Sequence, residues 1–237
     1  MNIIIMGNGK MGKQIAKLAQ QRKHNIIKIA DSNNKGELLD ITGADVCIEF
    51  STPETAFENI SHSIKSGIPI ISGTTGWLNR MEEIKKICNT YNGSFLYSEN
   101  FSIGMNILFE LNKKLAYLMK DRSYLEGEND IKDCNYDCTI NEIHHKKKID
   151  APSGTAKKLA KNIKDVLMKE TSITYERKND VIGEHNIIYS SQEDLIKITH
   201  IAKNRESFAY GAIIAAEWII NKKGIFNFYD VIELPKL

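Results

Sequence analysis

The chain is 237 residues long, enough for one large core or two modest ones, and its 42% hydrophobic and 26% charged content is that of an ordinary globular protein. A formal charge of +2 excludes a bulk attraction to nucleic acid or a membrane surface, and no apolar run approaches the roughly 18 residues that span a bilayer. The opening Met1-Asn2-Ile3-Ile4-Ile5-Met6-Gly7 has no basic leader and too short an apolar run for a signal peptide, so a cytoplasmic protein is expected.

From the N-terminus, strands and helices alternate, the pattern of an α/β fold with a parallel sheet covered on both faces. Asn2 to Met6 reads as an apolar strand, and Met11, Ile15, Leu18 and Ala19 follow at helical spacing. A second strand runs from Ile26 to Ala30 and ends at Asp31. Ala44 to Phe50 is a third, after which Pro53-Glu54 opens a helix with Ala56, Ile60 and Ile64 on one side. Ile68 to Ile71 is a fourth, closed by Gly73-Thr74-Thr75-Gly76, and a helix over Met81 to Tyr91 leads to a strand over Phe95 to Tyr97.

Near residue 100 the pattern changes. Ile107, Leu108, Leu111, Leu115 and Leu118 trace a long amphipathic helix, and Cys134 to Ile140 alternates as a strand with one wet face does. A helix carrying Ala156, Leu159, Ala160, Ile163, Val166 and Leu167 comes next, then strands over Val181 to Tyr189 and Leu195 to Ala202. The helix Ala209 to Ile220 is nearly all apolar on one side and should pack back on the first half. The chain thus reads as 1–100, 101–208 and a returning segment 209–237. Cys134 and Cys138 on one strand would stand about 13 Å apart, too far for a disulfide. With Cys47 in a strand and Cys88 in a helical pattern, all four cysteines are expected to be small buried hydrophobes.

Two motifs carry chemistry. Gly7-Asn8-Gly9-Lys10-Met11-Gly12 lies between a strand and a helix, with Asp31 at the end of the next strand. Gly7 permits a tight turn, Gly9 lets backbone approach a pyrophosphate, and Gly12 lets the helix pack closely on the sheet. The helix N-terminus offers N–H groups to phosphates, and Asp31 suits the ribose hydroxyls. The motif alone also admits a flavin or an S-adenosyl ligand. Phe50-Ser51-Thr52-Pro53 and Gly73-Thr74-Thr75-Gly76 follow strand ends and belong near the same nucleotide, although each alone reads equally as a plain loop. A carboxylate at Asp31 repels a 2′-phosphate, with only Lys35 in reach to offset it, so of NADH and NADPH the former is expected.

The second motif is Glu142-Ile143-His144-His145-Lys146-Lys147-Lys148-Ile149-Asp150-Ala151-Pro152-Ser153-Gly154-Thr155-Ala156. Strand alternation puts Glu142 and His144 on one face and His145 on the other, so the two imidazoles have different tasks. Lys146 and Lys147 read as solvated charge. Lys148 stands ahead of a turn that opens a helix, where the N–H groups of Gly154 and Thr155 and the Thr155 hydroxyl form a nest for a carboxylate. A zinc site from Glu142, His144 and His145 is poor, since adjacent histidines on a strand diverge, and no metal is expected.

With both motifs in view, the chain resembles the 4-hydroxy-tetrahydrodipicolinate reductases, also called dihydrodipicolinate reductases, of the diaminopimelate route to lysine. The Glu142–Ala156 stretch is the specific match, supported by Gly7–Gly12, Phe50–Glu54, Gly73–Gly76, Asn100–Asn106 and Gly183-Glu184-His185. The resemblance implies an N-terminal Rossmann-type, doubly wound parallel sheet and a smaller α+β domain that binds substrate and builds a homotetramer. It makes His144 the proton donor and acceptor and Lys148 a second proton donor. It gives the substrate carboxylates to His145, Ser153, Gly154 and Thr155, and the nicotinamide cofactor to Gly7–Gly12, Asp31, Phe50, Ser51, Gly73–Thr75, and Ser98, Glu99, Asn100 and Phe101. The partner it implies is a small dicarboxylate, with no nucleic acid and no membrane. The chain departs from the pattern in a glycine loop one residue shorter than many, in a short segment between Met168 and Arg177, and in Glu99 where a small residue is common. Rival readings are an aspartate or homoserine dehydrogenase and a sensor that binds NAD(H) without turnover.

Overall fold

The computed structural model describes residues 1–30, 40–120, 136–146, 148, 150–179 and 181–233. It divides into two compact units, one of Met1–Asn106 with Arg205–Pro235 and one containing Ile107–Asn204.

In the first unit, β1 (Asn2–Met6), β2 (Asn25–Ala30), β3 (Val46–Glu49), β4 (Ile70–Ser72), β5 (Ser94–Tyr97) and β10 (Gly224–Asn227) form a six-stranded sheet in the order β10-β5-β4-β3-β1-β2. Every pairing is parallel. The central strands are short apolar runs buried on both sides, so alternate residues fill two cores. Ile3, Ile5, Val46, Ile48, Ile71 and Leu96 join one core with α1 (Lys10–Gln21) and α6 (Glu206–Ile219). Ile4, Met6, Cys47, Ile70 and Phe95 join the other with α2 (Pro53–Lys65) and α3 (Met81–Thr90). The sheet is therefore doubly wound. Strand order reverses between β1 and β3, the place where open α/β sheets hold ligands beyond their carboxyl ends. The expected elements of this half appear with small shifts in their ends. Sequence reading passed over β10 and α7 (Phe228–Ile232), where Asn227 and Asp230 form a capping box.

α4 (Ile103–Leu118) begins in the first unit and continues into the second. There β6 (Asp137–His144), α5 (Gly154–Leu167), β7 (Ser172–Arg177), β8 (Gly183–Ser190) and β9 (Leu195–Ala202) give a four-stranded sheet ordered β7-β6-β8-β9. β7 lies parallel to β6, the others antiparallel, so this is an α+β unit with α5 packed on β6 and β7. β7 is mostly exposed, and its Ser-Ile-Thr-Tyr-Glu-Arg carries too little apolar contrast to be seen in the sequence. On the face away from Glu142, a polar ladder crosses all four strands. Thr199 donates to Asn186 (2.8 Å), Asn186 to Asn141 (3.3 Å), and Asn141 to Thr174 (3.1 Å). Cys47 and Cys88 are buried free thiols and Cys138 is half-buried. Burial pushes Cys47 and Cys138 up to about 11. Cys134 lies outside the described residues.

Candidate active site

In the first unit the three loops that follow β1, β3 and β4 stack against one another. Gly7 has φ +118°, and a Cβ there would lie 2.0 Å from the Phe50 carbonyl oxygen. A Cβ on Gly12 would meet the Gly7 carbonyl at 1.9 Å, and one on Gly73 the Phe50 ring at 2.2 Å. Gly9, the N-cap of α1, has open space at its Cβ position and no side-chain cap. The N–H groups of the first turn, over Lys10, Met11 and Gly12, therefore lack intrahelical acceptors, and Asn8, Gly9 and Lys10 are exposed beside them. This backbone fits a dinucleotide phosphate, as the glycine spacing requires.

The hydroxyl groups in these loops do something the sequence did not suggest. Glu49, fully buried at the end of β3, accepts from the Ser51 N–H (2.9 Å), the Ser51 hydroxyl, the Ser72 hydroxyl (2.6 Å) and the Thr74 hydroxyl (2.8 Å). Thr74 Oγ1 also accepts from the Ser51 N–H at 2.9 Å. Ser51 and Thr74 thus spend their side chains on loop shape, and Thr75 is exposed. Phe101 is a core residue, packed on Phe228 with ring centroids 5.2 Å apart. Ser98 and Asn100 hold their own turn, the hydroxyl donating to the Asn100 carbonyl at 2.8 Å, while Glu99 is exposed. Asp31 and Lys35 lie outside the described residues.

In the second unit the chemistry gathers around another buried carboxylate. Glu142 and His144 share the inner face of β6, as the alternation requires, and both are buried, whereas His145 is only half-buried. Glu142 accepts from the Ser153 N–H at 3.0 and 3.2 Å. His144 Nδ1 stands 3.6 Å from it, His185 Nε2 3.7 Å and the Arg177 guanidinium 3.5 Å. The rings of His144 and His185 are edge-on, 5.1 Å apart. The other nitrogen of His144 lies beside Gly183, where a Cβ would come within 3.1 Å of Nε2. Burial lowers the His144 pKa; Glu142 opposes the shift, while Lys148 and Arg177 add to it. Burial also pushes His185 down to about 3.

Lys148 is paired with Asp150 at 2.7 Å. Burial raises Asp150, but hydrogen bonding to Lys148 and the Gly154 N–H outweighs it and leaves the carboxyl below its usual range. The Asp150 carboxylate therefore sits on the donors expected for a substrate anion. After a cis Ala151–Pro152 bond, Ser153 caps α5, its hydroxyl accepting from the Ala156 N–H at 3.1 Å. The Ser153 side chain is buried, its oxygen capping α5 and its hydroxyl 3.4 Å from His185 Nε2, whereas Gly154 is exposed with open space at its Cβ position. Sequence reasoning missed Arg177 and the tasks of Glu142 and His185. In the sequence His185 stands out only within the Gly183-Glu184-His185 match. Glu142, His144 and His185, not His145, bring donor atoms within 4.8 Å of one another. A metal ion there would compete with the Ser153 N–H and Arg177 for the same carboxylate.

Comparison with known proteins decides the family. Residues 1–101 match the family model for the dihydrodipicolinate reductase N-terminus and residues 104–232 that for its C-terminus. The chain belongs to the dihydrodipicolinate reductase family. A 4-hydroxy-tetrahydrodipicolinate reductase of Christiangramia forsetii is 40% identical over 98% of both chains. One from Thermosipho africanus is 35% identical over 95% of this chain and 94% of its own. The dipicolinate-bound dihydrodipicolinate reductase of a Paenisporosarcina species has the same fold, with a TM-score of 0.75 at 20% identity, covering 97% of this chain and 98% of that one. Within the family match, the Glu142–Ala156 stretch is the one that builds the buried carboxylate, the paired lysine and the capped turn. Among the described residues no helix is long and apolar enough to cross a membrane.

Proposed function

We propose that the chain is an NADH-preferring 4-hydroxy-tetrahydrodipicolinate reductase, acting in the cytoplasm in diaminopimelate and lysine biosynthesis. A reduced nicotinamide, when bound, supplies hydride to C4 of the unsaturated ring left when the substrate loses water. The Gly7–Gly12 backbone, with the loops at Phe50-Ser51, Gly73–Thr75 and Ser98–Asn100, holds the dinucleotide, and Asp31 favours NADH by repelling a 2′-phosphate. His144 delivers the proton to the neighbouring carbon, a task suited to an imidazole because it titrates near neutral pH. Its Nε2 is the working nitrogen, since Nδ1 faces the Glu142 carboxylate. Lys148 and the Gly154 and Thr155 N–H groups bind a substrate carboxylate, His145 assists, and Lys148 also serves as a proton donor. The substrate carboxylate takes over Lys148 from Asp150, a like group already on the same ammonium.

The observation that carries this reading is His144 buried at the end of β6 with a carboxylate behind it and a glycine beside its outer nitrogen. A homotetramer built through the second sheet is supported by its ladder face, where Leu195 and Ile201 are 56% and 57% exposed. In the test, His144→Gln and Lys148→Ala should each lower turnover about a hundredfold or more while the protein still binds NADH. Near-normal turnover in either variant removes that residue from the mechanism. An aspartate dehydrogenase would instead reduce NAD+ to NADH with aspartate as the hydride donor in the wild type.

A further inference from the structure

We infer that Glu49 is a positioning residue for nucleotide binding: its buried carboxylate ties the loop after β3 to the loop after β4, and through them fixes the backbone against which the glycine loop rests. The inference deepens the proposed function and rests on its assignment of these loops to the dinucleotide. Glu49 has no exposed surface, and its four hydrogen bonds come from Ser51 and Thr74 of the two loops and from Ser72 at the end of β4. No cation pairs with it among the described residues; neutral donors alone compensate its burial. A buried acid at the end of an apolar strand is costly unless fully hydrogen-bonded, and Gln or Ser would satisfy a purely structural turn at less expense.

The charge has a use in this place. Bonds to an ionised acceptor are shorter and about twice as strong as neutral ones, so one carboxylate can hold several hydroxyls in fixed orientation. Ser51 is bonded from both its N–H and its hydroxyl, and Thr74 bridges Glu49 to the same N–H. The preceding carbonyl, Phe50, is the group that a Gly7 side chain would strike, so the position of Ser51 sets the space for the glycine loop. The Phe50 ring fills the room left by the missing side chain of Gly73. Glu49 therefore acts on the nucleotide through Phe50, Gly7 and Thr74, touching none of it.

The test compares wild type, Glu49→Gln and Ser72→Ala by NADH titration, steady-state kinetics and thermal melting. Glu49→Gln keeps the shape and an oxygen for the Ser51 N–H but loses the charge. It should weaken NADH binding and raise the KM for NADH about tenfold, the equivalent of one net hydrogen bond, with kcat within about threefold. Ser72→Ala removes one donor from the far oxygen and should raise the NADH Kd about two- to threefold without touching any loop that meets the nucleotide. If both variants bind NADH as wild type does, the inference is overturned. It is overturned equally if Glu49→Gln loses affinity only in proportion to a loss of folded protein and Ser72→Ala, fully folded, keeps it. Failure of the wild type to bind NADH or NADPH would instead overturn the assignment of the loops.

Discussion

Replacing Glu142 is the perturbation whose consequences the structure specifies most fully. The carboxylate faces His144 at 3.6 Å, and at an effective dielectric of about 20 that separation corresponds to an attraction on the order of 4 to 5 kcal/mol for a protonated ring. Burial, Lys148 and Arg177 work in the opposite direction and win, since the His144 pKa is lowered overall. Without Glu142 the shift goes further down, fewer rings carry a proton at neutral pH, and the proton donor is lost. Glu142→Gln, which keeps the size and an acceptor for the Ser153 N–H, should therefore lower kcat at pH 7 and move the optimum to lower pH. Glu142→Ala additionally leaves the buried Ser153 N–H without its acceptor, while Arg177 keeps its bonds to the Asp150 and Glu176 carbonyls, so the loss should be about 1 to 3 kcal/mol and on the order of 5 °C in Tm for a chain of this size. The assay is kcat against pH, with a thermal melt at each pH to keep folding separate from chemistry. A folded Glu142→Gln enzyme whose profile superimposes on the wild type would refute the reasoning.

Three further outcomes follow from the same geometry. Gly7→Ala forces a Cβ to 2.0 Å from the Phe50 carbonyl at φ +118°, so it should cost several kcal/mol and abolish tight NADH binding, read by titration and melting. His185 is held neutral by burial, down to about 3, so the unfolded chain takes up its proton first as acid is added. Its contribution is intact above about pH 6.5 and falls by about 1.4 kcal/mol per pH unit from there towards pH 3. His144 and His200, also lowered by burial, act in the same sense; urea midpoints against pH should flatten in His185→Asn. Asp31→Ser should raise kcat/KM for NADPH relative to NADH about tenfold or more, measured with both cofactors.

Much of this was legible in the sequence because it depends on local pattern. The alternating strands and helices, the glycine loop and the reach of Glu142 and His144 to one face all follow from periods of two and 3.6 and from spacing alone. What escaped was non-local. His185 meets His144 because β8 pairs antiparallel with β6, opposing Glu142 to His185 in register, and nothing in the spacing of the two segments reveals that. Arg177 arrives through β7, a strand too exposed and too polar to announce itself. Glu49 reads from the sequence as no more than the end of a strand, and spacing does not reveal that its carboxylate accepts from the Ser51 and Thr74 hydroxyls. A buried carboxylate needs such donors, since an uncompensated charge in the interior is costly.

The most direct measurement follows NADH absorbance while the substrate is generated in place from pyruvate and aspartate semialdehyde by the preceding synthase. Absorbance should fall only when both the synthase and this protein are present, and should stay nearly flat when His144→Gln replaces the wild type. A wild-type trace that stays flat with NADH and with NADPH, or a variant trace that falls at the wild-type rate, would contradict the account.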